Sequence, residues 1–394
     1  MNWFRRSPRR RDPSPGIPPG WVAITIVVAL AWPAGPTGPF GQFPGPGSTQ
    51  PATSPTSPGA TSSPPSRTVG GYLIPDSVDP TGAEDVTSRL QRFVDAAPDG
   101  VTIRFAPGGR YRVEGTLLVR QRHGLTFEGG GATLFATQPT SDPERVHWWV
   151  DESTDIQIRD LTVEGAHPDP GTHVPDFQWQ HAFQIYGGHD IEIGPNVTAT
   201  GIVGDGVYIA RWADGVYVHD CTISWNGRMG IAVVAGRNIL VERCTFNNIA
   251  YSVFDIEPND GNVPAEGADA ITFRDNVVDG PVFSKFFALG GYGPVSNVVV
   301  TGNTVAGARN GIAVDARPRA DTPRRSNVIF MDNVAEGVFG DFDAVLAVLE
   351  FSNIDGLIIR GNTQAVAPGG IIFARVKDST GVQIEDNVCP GCAG

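Results

Sequence analysis

The 394-residue chain has few cysteines for disulfide bonds and lacks a long apolar run of the kind that spans a membrane. Only four cysteines occur, which is too few for a framework of disulfide bonds. Cys389 and Cys392, in a CPGC turn, could close one small bridge after export. The mostly apolar run 21–32 is short for crossing about 30 Å of hydrocarbon. The chain is therefore not a small disulfide-rich scaffold.

The N-terminal segment has the pattern of an export signal. Several arginines precede the apolar run, and residues 29–31 (Ala-Leu-Ala) fit a cleavage site. Residues 1–32 are predicted to be a signal peptide or, if uncleaved, a membrane anchor. Residues 33–68 are Pro, Gly, Ser and Thr with almost no charge, and they are predicted to be a disordered linker. We expect an extracellular protein, secreted or tethered to a membrane or cell wall.

Basic charge is scarce in residues 69–394. The whole chain has a net charge of −13, and residues 1–68 contribute six Arg and one Asp, which leaves a net charge of −18 for the remainder. A surface of that sign repels phosphate, so nucleic acid is not expected as a partner. Six of the seven histidines fall between residues 123 and 189 with spacings that suit no metal site. They are predicted to be surface or loop residues, and no metal is predicted.

A short phrase recurs from about residue 155 to the end of the chain: a β-branched run, then Asn or Cys, then a second run. One position aligns in every copy, at intervals of 23 to 35 residues: Leu161, Asn196, Cys221, Cys244, Asn276, Asn303, Asn333, Asn362 and Asn387. Such a repeat predicts a solenoid, in which each coil stacks its strands on those of the next. The Asn side chains are predicted to form a hydrogen-bonded column at an inward turn, with the two Cys as small buried substitutes.

These repeats resemble the right-handed parallel β-helix of the pectate-lyase-like superfamily, in its carbohydrate-active branch. The resemblance covers about residues 70–394 and implies an all-β solenoid. Its opening, SVDPTGAEDVTSRLQRFVDAAPDG, is similar to the start of many pectate lyase and polygalacturonase relatives. There Val86, Leu90, Phe93, Val94 and Ala97 recur at helical spacing, so a capping helix is predicted to cover the first coil.

Aligning the second strand of each coil identifies a candidate catalytic face. The aligned strands are FQIYG (183–187), VYIAR (207–211), IAVVA (231–235), FDIEP (254–258), SKFFA (284–288), IAVDA (312–316) and LAVLE (346–350). Alternation places Asp255 and Glu257 together on the outer face. Two carboxylates about 7 Å apart repel each other without helping the fold, which favours a functional use. A solvated acidic stripe is the alternative.

Further site residues are predicted around this pair. Asp205, in GDGVYI, matches the Asp of the Asn-Thr-Asp-Gly motif of polygalacturonases, but Arg228 and its neighbours stand where that family has an aspartate pair. Asp315 is a supporting carboxylate about two coils away. Substrate contacts are predicted for six residues on this face and its loops: Tyr208, Arg211, Trp212, Trp225, Lys285 and Arg317.

Three functions remain open at this stage. A glycoside hydrolase would use Asp255 and Glu257 as acid and base, with Asp205 or Asp315 in support, and would need no cofactor. The segment 251–259 also resembles, loosely, the Tyr-Gly-Phe-Asp-Pro-His motif of mannuronan C5-epimerases. A polysaccharide lyase or epimerase would use Lys285 or Arg211 as base and calcium held by the carboxylates. The third alternative is a noncatalytic glycan-binding surface protein. Polysaccharide is the expected partner in each case.

Overall fold

The computed structural model describes residues 67–68, 71–140, 145–259, 266–280, 285–306, 314–316, 322–338, 347–366 and 371–393. The predicted signal and most of the linker lie outside these ranges. Within them, no helix is both long and apolar enough to cross a membrane.

The described chain winds into two sheets of stacked strands. The sheet that carries the candidate site, called the front sheet here, contains the strands Leu117–Arg120, Trp148–Asp151, Phe183–Tyr186, Val207–Ala210, Ile231–Val233, Ser252–Ile256, Lys285–Leu289, Val314–Ala316, Ala347–Ser352 and Ile372–Lys377. Each strand pairs in parallel with the one from the next coil.

The second sheet, called the back sheet, runs through both remaining sides of the coils. Its strands are Arg67–Thr68, Gly71–Leu73, Thr102–Arg104, Arg110–Arg112, Thr126–Phe135, Thr154–Glu164, His189–Ile193, Thr198–Thr200, Ala213–His219, Thr222–Ser224, Gly236–Glu242, Thr245–Asn247, Ala268–Arg274, Val277–Asp279, Val295–Thr301, Thr304–Ala306, Arg325–Met331, Val334–Val338, Ile354–Arg360, Thr363–Val366 and Thr380–Glu385. The predicted class, a right-handed parallel β-helix, is confirmed.

The core lies inside the coils because alternate residues of each strand point inward. Phe254 and Phe287 occupy one inward column of the front sheet, and both are fully buried. Phe254 stacks on Phe273 of the back sheet with ring centroids 4.3 Å apart. Apolar side chains from both sheets therefore fill one continuous core along the solenoid.

The predicted capping helix is also confirmed, at Thr87–Ala96, and besides it the described residues contain only the 3-10 helix Pro175–Phe177. Leu90 and Val94 are buried in the core of the first coil. Gln91 exchanges two hydrogen bonds with the backbone of Leu118, at 2.8 and 2.9 Å, which fixes the helix to the front sheet. At the opposite end of the chain, Cys389 and Cys392 are joined by a disulfide bond, which the sequence had left open.

The asparagine column is present and continuous over its last five members. Asn276, Asn303, Asn333 and Asn362 each donate Nδ2–H to the Oδ1 of the next Asn, at 2.8 to 3.0 Å. Each Oδ1 from Asn303 onward also accepts a backbone N–H from the previous member. Cys221 and Cys244 are buried in line with the column, as predicted.

One member of the column was predicted wrongly. Asn196 is exposed, and Val197 takes its place, because Val197 precedes the pair Thr198–Thr222 just as Cys221 does. Three residues separate Ile193 from Val197, whereas two separate its partner Val218 from Cys221. The extra residue in this turn moves Asn196 out of the column, where it bonds Asp160 instead.

We expect the column to contribute strongly to stability. Asn303→Ala should lower the free energy of unfolding by about 2–4 kcal/mol, because each orphaned buried backbone group costs about 1–3 kcal/mol. The matched control is Asn196→Gly, at an exposed position with φ of 58° that glycine adopts readily. Urea unfolding followed by circular dichroism measures both variants. Equal effects would show that the column carries no special stability.

Candidate active site

The outer face of the front sheet places the predicted carboxylates in register. Asp255 lies beside Ala232 on one side and Ala288 on the other, and Ala232 in turn lies beside Tyr208. The same row continues from Ala288 to Asp315. Asp315 is therefore two strands from Asp255, as predicted.

Asp255 and Glu257 share this face, but their surroundings differ. Asp255 is 5% exposed, whereas Glu257 is partly exposed. Burial raises the pKa of Asp255 well above its usual range, and the nearby charge of Glu257 raises it further. Arg228 and Lys285 act in the opposite direction. The site therefore favours the protonated form of Asp255 beside a more exposed carboxylate.

Asp205 is fully buried and fixed by two donors. The Arg228 Nη1 donates to its Oδ2 at 2.9 Å, and the Met229 N–H donates to its Oδ1 at 2.9 Å. Burial raises the pKa of Asp205 to about 6, although Arg228 and the Met229 N–H both lower it. Asp205 therefore takes up its proton at a higher pH than an ordinary aspartate does. Its burial suits a positioning role rather than direct contact with substrate.

His181 completes the buried cluster as a neutral ring. The Asp205 N–H donates to His181 Nδ1 at 3.0 Å, so this nitrogen carries no proton. Burial, followed by the charge of Arg228, lowers the pKa of His181 well below its usual value. The His181 ring stacks on Tyr208, with centroids 4.6 Å apart and planes within 8°. Its contact with the Asp205 carboxyl is therefore not an ion pair.

Arg228 is a functional candidate that the sequence reasoning missed. Its side chain is almost fully buried, and its guanidinium lies 5.0 Å from the centroid of the Trp179 ring. The charges of Asp205, Glu257 and Asp255, in that order, raise the pKa of Arg228 against the effect of burial. Arg228 is therefore the buried cation that faces all three carboxyl groups. Its only signal in the sequence was that it departs from the polygalacturonase pattern.

A further buried carboxyl, Glu266, was also missed. It accepts the Asn259 N–H at 3.2 Å, and its charge raises the pKa of Tyr208. Glu266 therefore lies near the same face as Asp255. Nothing in its sequence context, a loop with no strand periodicity, marked it.

The predicted binding residues divide into two groups. Tyr208 lies in the same row as Asp255, buried beneath the His181 ring. Arg211 is exposed and directly follows a strand two places from that of Asp255 in the front sheet, and its guanidinium lies 4.7 Å from the centroid of the Tyr186 ring. Trp212 and Trp225 are 36% and 46% exposed. Trp212 borders Gly267, whereas Trp225 borders Gly171.

The register predicted for Lys285 was wrong. Lys285 pairs with Ser252, and Ala288 pairs with Asp255. The adjacent Phe286 and Phe287 are both fully buried, so alternation of apolar residues could not select one register. Lys285 still lowers the pKa of Asp255 through its charge. Arg317 lies outside the described residues.

The row beyond Asp255 also differs from the predicted alignment. Asp315 pairs with Glu350 and Glu350 with Arg375, so Glu350 belongs to the row of Asp255. Glu350 is buried, with an Arg375 nitrogen 3.7 Å from its carboxyl.

The histidines were only partly predicted correctly. His147, His167 and His181 lie in loops, as predicted, but their side chains are buried. His167 and His181 are covered because the insertion that contains them folds onto the coils. In the described part of the chain, no group of three or more His, Cys, Asp or Glu is arranged to hold a metal ion.

Comparison with known families agrees with this architecture. Residues 149–319 match the family model described as "Right handed beta helix region". The chain has the right-handed parallel β-helix fold. A search of curated proteins finds no match.

Solved structures extend the agreement to most of the chain at low sequence identity. A hyperthermoactive exopolygalacturonase from Thermotoga maritima superimposes with a TM-score of 0.52 at 14% identity, over 80% of this chain and 88% of that one. The Dettilon tailspike protein gives 0.57 at 12% identity, over 80% and 62%. A surface protein and adhesin of Streptococcus pneumoniae gives 0.55 at 14% identity, over 80% and 97%. The resemblance to the pectate-lyase-like superfamily is thus confirmed for the fold.

Proposed function

We propose that this β-helix protein acts on polysaccharide and hydrolyses glycosidic bonds, with Asp255 as general acid and Glu257 as general base. The observation that carries the proposal is a buried carboxyl of raised pKa beside a more exposed carboxylate on one strand face. Glycoside hydrolysis by inversion needs one carboxyl group that gives up a proton and a second that accepts one.

The spacing of the pair favours inversion at the anomeric carbon. Residues i and i+2 of a strand are about 7 Å apart, within the range of about 6.5–9.5 Å that inverting enzymes use to admit a water molecule. Asp255 would give its proton to the glycosidic oxygen as the bond from that oxygen to the anomeric carbon breaks. Glu257 would take a proton from the water that attacks the same carbon. The products would be a new reducing end and a free hydroxyl.

Arg228 and Asp205 would act behind this pair. Arg228 opposes the accumulation of negative charge when Glu257 is ionised, and Asp205 holds Arg228 in place. A buried pair of this kind keeps its geometry without solvent reorganisation. Both residues are proposed as positioning residues, and Asp315 as a supporting carboxylate.

The structural neighbours support a polysaccharide ligand and a location outside the cell. One neighbour is named as an exopolygalacturonase, and another as a surface protein and adhesin. Together with the predicted N-terminal signal, these names support a secreted or surface-tethered protein.

The direct test is incubation of the full chain with polygalacturonate, alginate and neutral β-glucans, with added calcium or with EDTA. New reducing ends without ultraviolet absorbance, independent of calcium, are expected for a hydrolase. Calcium-dependent absorbance of unsaturated uronate would replace hydrolysis with a lyase reaction, and inverted uronate without cleavage would indicate an epimerase. Binding without any product would indicate a glycan-binding protein.

A further inference from the structure

Among the described residues, the outward side chains of the front sheet are buried in the two strands before that of Asp255 and partly exposed in the strand that follows it. In the two strands that precede Asp255 in the stack, the outward residues Tyr208, Ala210, Ala232 and Val234 are at most 9% exposed. In the strand that follows, Ala288 is partly exposed, and Gly290 just beyond it is too. The accessible floor therefore ends at the strand of Asp255.

The cover over the N-terminal side is the insertion 165–182, which folds onto three successive coils. His181 stacks on Tyr208, Trp179 lies over Arg228, and the His173 ring meets the Tyr251 ring at a centroid distance of 4.7 Å. Burial, and to a smaller extent the charge of Glu266, raises the pKa of Tyr208.

Hydrogen bonds and close packing hold this insertion down. The Gly204 N–H donates to Gln180 O at 2.9 Å, and the Gly171 N–H donates to Trp225 O at 3.2 Å. A Cβ atom at Gly227 would lie 2.4 Å from His167 Nε2, so the insertion and the coil approach as closely as a glycine allows. The cover is thus part of the packed structure.

We infer that the site takes the end of a glycan chain rather than an internal segment, an inference that rests on the proposed function. The front-sheet strands are only three to six residues long, so an extended glycan has room only along the rows of outward side chains, parallel to the solenoid axis. Successive strands are about 4.8 Å apart, close to the length of one sugar residue. Because the floor is already covered at Ala232, at most about one sugar fits on the closed side. The released product is therefore a monosaccharide.

The first test compares reducing ends, viscosity and product size for the full chain acting on polygalacturonate and on a linear neutral β-glucan. Chain-end action releases one small product from the earliest time and leaves the viscosity almost unchanged. A ladder of intermediate oligosaccharides with an early fall in viscosity would overturn the inference while leaving the proposed hydrolysis intact.

A second measurement does not depend on catalysis. The Asp255→Asn variant is titrated calorimetrically with oligosaccharides of increasing length from the same two polymers. Binding at chain ends saturates at one protein per chain whatever the length, whereas internal binding gives a ratio that rises with length. A rising ratio overturns the inference even if no hydrolysis is ever detected.

Three variants test the assigned orientation of the glycan. Gly290→Phe is expected to lower affinity at least tenfold, because its side chain would fill the exposed floor. Among the described residues, a Cβ at this position meets Glu257 alone within 4 Å, at 3.7 Å, so they leave room for it. Thr222→Phe places the same bulk on an exposed strand of the back sheet and should bind normally. The double variant Trp179→Ala/His181→Ala should add longer oligosaccharides to the products. Normal binding by Gly290→Phe would contradict the assigned orientation.

Discussion

Replacing Asp255 by Asn should lower the kcat of glycan hydrolysis by about 10²–10⁴-fold, the usual contribution of a positioned general acid. The substitution keeps the size of the side chain and removes only the proton that leaves with the glycosidic oxygen. Since Asp255 is buried beside Glu257, Asn should leave stability unchanged or raise it. A large loss of activity in a variant of normal stability would show that Asp255 acts in the reaction and is not needed for folding.

The matched control is Asp275→Asn, the same chemical change on an exposed residue of the back side, where Asn also tolerates the φ of 54°. This control should retain full activity. The wild-type enzyme should lose kcat/KM as the pH rises through the raised pKa of Asp255, because the acid form then disappears. Activity that persists in Asp255→Asn with an unchanged alkaline limb would remove Asp255 from the mechanism.

The fold could be predicted from the sequence because its determinants are local and repeated. Inward residues recur at every second strand position, and the buried Asn of each coil satisfies the same backbone groups as the last. Asn196 shows the limit of this argument. One extra residue in a turn is invisible to a motif alignment, yet it changes which side chain enters the column.

The candidate site could be predicted only where it lies on strands. Alternation correctly placed Asp255 and Tyr208 in one row, since strand geometry fixes side-chain direction. Arg228, Trp179 and Glu266 come from loops, which have no periodicity to reveal their direction. Their approach to the carboxylates depends on how an insertion folds onto neighbouring coils, and that is a long-range property.

Arg228→Met should produce the largest loss of stability, about 3–5 kcal/mol at pH 7, the usual cost of removing one partner from a buried ion pair. The variant leaves the fully buried Asp205 with the Met229 N–H as its remaining described donor. The double variant Arg228→Met/Asp205→Asn also removes the unpaired buried charge of Asp205, so it should recover much of the lost stability. Arg228→Lys keeps the charge and should be only mildly destabilised.

The pH dependence of this loss has a definite sign. The folded-state pKa of Asp205 is already raised to about 6 from an unfolded value of 3.8, and removing Arg228 raises it further. A carboxyl with a raised folded pKa destabilises the fold above that pKa, so Arg228→Met should regain stability as the pH falls toward 3.8. Urea unfolding at pH 5 and pH 8 should therefore give a smaller difference from wild type at pH 5.

A role of Arg228 in catalysis would appear as a shift in the pH dependence of kcat/KM, separate from the loss of stability. Arg228 lowers the pKa of Asp255, so its removal should move the alkaline limb of kcat/KM to higher pH, and Arg228→Lys should restore the limb toward its original position. A variant that is destabilised but keeps the wild-type pH profile would limit Arg228 to folding. A variant in which both the stability and the pH profile change would establish two roles for Arg228. Its charge would then stabilise the fold through Asp205 and set the protonation of Asp255, because it acts on both carboxyl groups.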